Sequence, residues 1–188
     1  RVSPRMQVVV PGDSIEANKA TLAIATTTSP TYIRLAREKT PVITTEESPF
    51  ELGKANVLVA PDHPRAAIIA CGPLVYHALE VARDLANEGI DVAVVNLHTI
   101  KPLDADILLR VAKVAGAVVT VEEHQKHGGM GSAVAELLVE KHPVPMELVG
   151  VDDKFGQSGT PDELIEHYGM SVKAIKQAVL RVVMRRQP

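Results

Sequence analysis

The sequence is poor in the residues that define several classes of protein. It contains one cysteine, no tryptophan, three tyrosines and two phenylalanines among 188 residues. The single cysteine, Cys71, cannot form an internal disulfide, so a disulfide-stabilised secreted scaffold is excluded and a reducing, cytoplasmic environment is expected. With so few aromatic side chains, the core has to be built from valine, alanine, leucine and isoleucine, which suits the tightly layered sheets of α/β proteins.

A strong charge of one sign and long apolar runs are absent as well. The formal net charge is -3, and the basic residues cluster only at the C-terminal end, residues 181–186. Basic residues at a short C-terminal end are more typical of charges that complement a helix dipole and face solvent than of a binding patch. No apolar run approaches the length of a transmembrane helix. The sequence therefore predicts neither a nucleic-acid partner nor a membrane partner.

A regular alternation of apolar strands and amphipathic helices is present in residues 66–188. Strands that need a helical crossover between them lie parallel, so this part predicts a three-layer α/β domain with a mostly parallel sheet. Strand patterns occupy residues 66–70, 92–97, 117–121 and 146–149; helix patterns begin at Pro73, Asp104 and Gly131, and two closing helices cover residues 161–167 and 171–183.

Residues 1–45 predict a βαβ fragment that is too small to fold alone. Strands at residues 8–10 and 31–35 flank a helix capped by Asp13, and Glu16, three residues on, predicts a reciprocal capping box. Residues 46–65 are weakly patterned and predict a linker that holds one edge strand. The expected organisation is a tail at 1–45, a linker at 46–65 and a domain at 66–188.

A glycine turn, residues 128–132, follows the strand pattern that ends in Glu122, Glu123 and His124. Glycines ahead of a helix can let backbone amides bind an anion at the positive end of the helix. Their spacing here is not that of a dinucleotide-binding loop. A tight strand-to-helix turn or a close approach to another chain are the alternative interpretations, and we favour them.

Five further polar side chains are candidates for function. His124 and His127 beside carboxylates could bind a metal, but a loop position without cysteines favours an interface or helix-end cluster, and we predict no metal site. His98, at the end of a strand, is either a functional group or a hydrogen-bonded structural histidine. Arg34 and Arg37 flank a strand end and are a candidate phosphate clamp, because guanidinium binds phosphate bidentately.

Six stretches of the sequence, in order, resemble the C-terminal region of transketolases. Two of them carry the patterns P-(A/G)-D-x-x-E-A and G-P-x-Y-I-R-L-x-R, and the closing stretch resembles the F-G-x-S-G of C-terminal subunits encoded as a separate chain. The stretches are residues 11–17, 29–37, 49–55, 99–104, 119–132 and 155–169.

This resemblance implies thiamine-diphosphate chemistry in the complete enzyme, with Mg, which moves a two-carbon ketol unit between sugar phosphates. The tail would be the end of the pyrimidine-binding domain. The diphosphate-binding domain, the glutamate that protonates the cofactor and the substrate histidines have no counterpart here. The resemblance therefore implies no catalytic residue and no cofactor on this chain alone. It implies phosphate binding by Arg37, with Arg34 as its neighbour.

The resemblance also implies partners: an N-terminal transketolase part or subunit, and a homodimer contact. We expect that contact near Glu123, His124, Gly128, Gly129 and Gly131. A dimerisation or regulatory module is the alternative function. A fragment of a deoxyxylulose-phosphate synthase or of a 2-oxo acid dehydrogenase β subunit is the alternative enzyme, although the closing segments of those families look different.

Overall fold

A computed structural model describes residues 1–186 of the chain as two sheets, one of three strands and one of five. Fourteen elements build them, in the order β1 (Gln7–Val9), α1 (Ser14–Ala25), β2 (Thr31–Ile33), β3 (Asn56–Val59), β4 (Ala66–Ala70), α2 (Leu74–Asn87), β5 (Val92–Asn96), β6 (Thr99–Lys101), α3 (Ala105–Ala115), β7 (Val118–Gln125), α4 (Met130–Lys141), β8 (Met146–Val151), α5 (Pro161–His167) and α6 (Val172–Met184).

The five-stranded sheet has the order β3-β5-β4-β7-β8. β4, β5, β7 and β8 pair in parallel, and β3 closes one edge antiparallel to β5. Every residue of β4 and β5 is buried, as expected for central strands covered on both faces. The predicted mostly parallel sheet and the predicted edge strand at residues 56–59 are both confirmed.

Helices cover both faces of this sheet and complete the three layers. One apolar cluster packs α2 and α6 against it, and a second packs α3 and α4 against the opposite face. The ends of α3 are those predicted from the sequence. Asp104 caps the helix, and Gly116 ends it in the left-handed conformation at φ 67°. Along residues 1–186, no helix is both long enough and apolar enough to cross a bilayer.

The three-stranded sheet contains the predicted βαβ fragment. β1 and β2 pair in parallel with α1 as the crossover, and β6 adds to β1 in antiparallel fashion. β6 was not predicted, because it is short and directly follows β5. Since β6 lies in the predicted C-terminal domain, it joins the tail to that domain by backbone hydrogen bonds. The domain boundaries themselves stay a prediction.

The predicted capping box at α1 forms only in part. Asp13 does cap the helix, accepting a hydrogen bond from the amide of Glu16 at 2.8 Å. The carboxylate of Glu16 does not return to Asp13. It accepts from the amide of Gly12 at 2.6 Å and from Nδ2 of Asn96 at 2.8 Å. The predicted reciprocal bond is wrong, because the side chain of Glu16 is buried (1 % exposed) and bonds to Asn96 at the end of β5 instead of to the backbone of Asp13.

Candidate functional site

The glycine turn before α4 is already occupied by a carboxylate of the chain itself. The amides of Met130 and Gly131 donate to the two oxygens of Glu122 at 2.7 and 2.8 Å. Glu122 is buried, and its burial raises its pKa while the two amide bonds lower it, with a net rise. An anion cannot use these amides without displacing Glu122, so the geometry argues against the anion-binding interpretation of this turn.

Close packing explains why two positions of the turn require glycine. A Cβ on Gly129 would collide with both carboxylate oxygens of Glu122, and one on Gly131 would lie 2.5 Å from the hydroxyl of Thr120. Gly128 has open space but a φ of +75°, which glycine adopts without strain. The tight strand-to-helix turn is therefore confirmed.

The five interface candidates differ in accessibility. Gly129 and Gly131 are buried, Glu123 is half-buried, and His124 and Gly128 are exposed. The subunit contact stays a prediction, and it depends on the accessible residues. Nδ1 of His124 donates to the carbonyl of Gln125 at 2.9 Å. Within residues 1–186, no cluster of three or more His, Cys, Asp or Glu side chains could hold a metal ion.

The two arginines of the predicted phosphate clamp lie just beyond β2 but have different surroundings. The backbone amide of Arg34 donates to the carbonyl of Val9 at 2.9 Å, and its guanidinium lies 3.6 Å from the carboxylate of Glu123. The side chain of Arg37 is 95 % exposed, and its one ion contact among the described residues is with its neighbour Glu38 at 3.6 Å. Arg37 is therefore accessible to a ligand, whereas Arg34 is half-buried and paired.

Both arginines line one open cleft of about 560 Å³. The tail forms one wall with residues 34–41, and the first turn of α2 and helix α5 form the other. Lys39 adds a third cation, while Glu38, Glu123 and Asp162 contribute the opposite charge. Two guanidinium groups on one wall can bind a phosphate ester by charge-assisted hydrogen bonds. The structure thus places Arg34 and Arg37 in the same cleft.

His98 has a structural role. It is fully buried and stacks on Phe50 with ring centroids 4.3 Å apart, and its Nδ1 lies 3.0 Å from the hydroxyl of Thr99. Burial lowers its pKa to about 4, so the ring is neutral at physiological pH. Of the two interpretations of this residue, the structure supports the structural histidine.

Known proteins match most of this chain. A family model described as transketolase, C-terminal domain, matches residues 53–175. The chain belongs to the transketolase family. A 6-deoxy-6-sulfo-D-fructose transketolase subunit of a Clostridium species is 42 % identical over 183 residues, which are 97 % of this chain and 56 % of that protein. A subunit of the apulose-4-phosphate transketolase of Phocaeicola vulgatus is 34 % identical over 98 % of this chain and 59 % of its own length.

Solved transketolases share the fold. A split-gene transketolase, described as an inactive beta4 tetramer, superposes with a TM-score of 0.95 at 40 % identity over 100 % of this chain and 61 % of that chain. The transketolase of Leishmania mexicana gives 0.76 at 26 % identity over 98 % of this chain and 26 % of its own. The sequence thus spans about three fifths of the transketolase subunits it matches.

The described residues do not by themselves form a binding site for thiamine diphosphate or its metal. Glu122 fills the amides of the glycine turn, the one helix terminus that the sequence offers as an anion cradle. Within residues 1–186, no three His, Cys, Asp or Glu side chains come together as a metal site that the chain supplies by itself.

Two contacts near the cleft were not predicted. Asp13 was explained as a helix cap, but its carboxylate also accepts hydrogen bonds from Ile43 and Thr44. Glu123 was predicted as an interface residue, and its neighbour is Arg34 of the tail. No local sequence pattern predicts such contacts, because the two partners are distant in sequence. Glu123 lies within β7 and Arg34 directly follows β2 of the other sheet, so only the fold brings the carboxylate and the guanidinium together.

Proposed function

We propose that this chain is the C-terminal part of a thiamine-diphosphate-dependent transketolase that transfers a two-carbon ketol unit between sugar phosphates in the cytoplasm. The observation that carries the proposal is the accessible guanidinium of Arg37 at a cleft between the tail and the C-terminal domain. The family match and the close superposition with a split-gene transketolase support it.

Within this function, Arg37 binds the phosphate of the sugar substrate. Its side chain is free to rotate toward a ligand, and guanidinium offers two parallel N–H donors to phosphate oxygens. Arg34 contributes positive potential to the same cleft. The chain thereby recognises and orients the substrate, and the carbon chemistry takes place on groups held elsewhere in the enzyme.

The chain alone is inactive in this proposal. Thiamine diphosphate and Mg bind to the complete enzyme, which requires an N-terminal transketolase part or subunit and a homodimer contact. Two observations support the requirement: the glycine-turn amides are satisfied by Glu122, and the matched relatives are named as subunits.

Reconstitution tests the proposal. The natural protein that contains this chain is assayed for ketol transfer alone and mixed with its N-terminal counterpart, in both cases with thiamine diphosphate and Mg. We expect transfer in the mixture and none with residues 1–188 alone. Transfer by residues 1–188 alone would contradict the division of labour, and an inactive, properly assembled mixture would contradict the function itself.

A second candidate function, assembly, is favoured by one observation. Phe155 is 99 % exposed, although the carbonyl groups of Lys154 and Phe155 are held by Gln125 at 2.7 Å and by Tyr168 at 2.8 Å. An exposed aromatic side chain on an anchored backbone is a residue that a protein partner can bury, since aromatic residues are enriched at interfaces. Light scattering of wild type and Phe155→Ser decides: a smaller particle in the variant supports assembly, and a monomer at every concentration contradicts it.

A further inference from the structure

The segment that carries Arg37 has few contacts of its own. We call residues 34–44 the Arg37 segment. From residue 35 to residue 42, no backbone-to-backbone hydrogen bond and no side-chain hydrogen bond is formed with the rest of the described chain. Leu35 and Val42, near its two ends, are 55 % and 56 % exposed. Packing is therefore weak from residue 35 to residue 42, whereas Ile43 packs against the core of the larger sheet, and the course of the segment depends on how its ends are held.

The first end is held by the pair of Arg34 and Glu123. The amide of Arg34 continues the ladder of β2 to the carbonyl of Val9, and its guanidinium lies 3.6 Å from Glu123. The two side chains are 29 % and 39 % exposed, so water screens their attraction only in part. Glu123 belongs to β7 of the larger sheet, which means that this pair connects the tail to the C-terminal domain.

The second end is held by Asp13. One oxygen of its carboxylate accepts from the amides of Ile43 and Thr44 at 2.7 and 2.6 Å, and the other accepts from the hydroxyl of Thr44 at 2.8 Å. Although burial opposes ionisation, the hydrogen bonds that Asp13 accepts from Glu16, Ile43 and Thr44 keep its pKa below the ordinary value. Asp13 thus remains an acceptor for both amides at neutral pH.

We propose that Asp13 and Glu123 are positioning residues, which hold the two ends of the Arg37 segment and thereby place Arg37 for phosphate binding. This inference rests on the proposed function of Arg37. Its physical reason is conformational entropy: a segment with free ends would sample many positions, and binding would then have to select one of them. Arg34, in this account, acts mainly through Glu123 and only secondarily on the phosphate.

The test uses the complete enzyme with hydroxypyruvate as a phosphate-free donor and two acceptors, ribose 5-phosphate and glycolaldehyde. For Glu123→Gln we expect the KM of ribose 5-phosphate to rise about two- to fivefold, the size of one partly exposed ion pair, with kcat unchanged. The KM of glycolaldehyde should not change, because that acceptor has no phosphate. Glu140→Gln, which removes the same charge from the exposed end of α4, is the control.

A double-variant comparison separates the two possible roles of Arg34. If it acts through Glu123, the Arg34→Gln, Glu123→Gln double variant loses no more than either single variant. A much larger loss for Arg34→Gln than for Glu123→Gln would assign the phosphate to Arg34 directly and overturn the inference. Equal losses with both acceptors would also overturn it, because they indicate a general structural effect.

Limited trypsin digestion gives a second measurement that does not depend on activity. Cleavage after Arg37 should be about two- to fivefold faster in Glu123→Gln and faster still in Asp13→Asn, while cleavage at sites outside residues 34–44 keeps its wild-type rate. Unchanged cleavage after Arg37 would contradict the anchoring. If the wild-type complete enzyme transfers no ketol unit, the proposed function fails, and the digestion still decides whether the carboxylates hold the segment.

Discussion

Replacing Glu16 by glutamine should change how stability depends on pH. Glu16 is 1 % exposed and lies where the tail meets the end of β5. Burial raises its pKa from 4.5 to about 7, against the hydrogen bonds from Gly12 and Asn96. Glutamine has the same shape and no charge. Its single amide oxygen can accept from Gly12, and its amide nitrogen can donate to Oδ1 of Asn96 once the side-chain amide of Asn96 is turned over.

The sign of the effect follows from proton linkage. Because the folded state holds the proton of Glu16 more tightly than the unfolded state does, the wild type loses stability as pH rises from 4.5 to about 7. A pKa difference of one corresponds to about 1.4 kcal/mol, so this residue costs the wild type up to about 3 kcal/mol of unfolding free energy above neutral pH. Glu16→Gln does not have this loss.

Urea unfolding at pH 4.5, 6 and 8, followed by circular dichroism, measures the difference directly. The unfolding free energy of Glu16→Gln relative to wild type should increase from pH 4.5 to pH 8 by a few kcal/mol, and the variant should be at least as stable at pH 8. Glu166→Gln, at an exposed position on α5, should show no such increase. Parallel pH curves for wild type and Glu16→Gln would refute the argument that a buried, raised-pKa carboxylate lies at this joint.

Two further predictions concern the glycine turn. Gly129→Ala should lower the unfolding free energy by more than about 2 kcal/mol, because the added Cβ collides with Glu122. Gly156→Ala is the control, since a Cβ there meets open space, and it should change the unfolding free energy by less than about 0.5 kcal/mol. Thermal unfolding of the two variants measures the difference. Glu122→Ala leaves the buried amides of Met130 and Gly131 without acceptors and should cost roughly 2–4 kcal/mol. A loss below about 0.5 kcal/mol in urea unfolding would contradict that role for the carboxylate.

Periodic patterns predicted most of the larger domain. The apolar run of residues 66–70 forms β4, and the left-handed Gly116 ends α3 where the sequence indicates. These features are local: a strand buried on both faces has to be apolar throughout, and a glycine after an amphipathic run marks a helix end. β6 escaped prediction because a three-residue strand is defined by its partner β1 and not by its own composition.

The site was less predictable, because its contacts join residues far apart in sequence. Glu122 was recognised as a polar residue near a glycine turn, yet only the fold reveals that it fills the turn. The same holds for Asp13 at residues 43 and 44. The resemblance to transketolases singled out Arg37, and the structure adds that its side chain is exposed at a cleft.

The most direct test of the central claim is the acceptor selectivity of Arg37→Ala in the complete enzyme. If this chain supplies the phosphate-binding arginine of a transketolase, kcat/KM for ribose 5-phosphate should fall about 10- to 100-fold, the value of a charge-assisted hydrogen bond to phosphate. The kcat/KM for glycolaldehyde should stay near that of the wild type. A wild-type complete enzyme without ketol transfer, or an Arg37→Ala enzyme with unchanged selectivity between the two acceptors, would contradict the account.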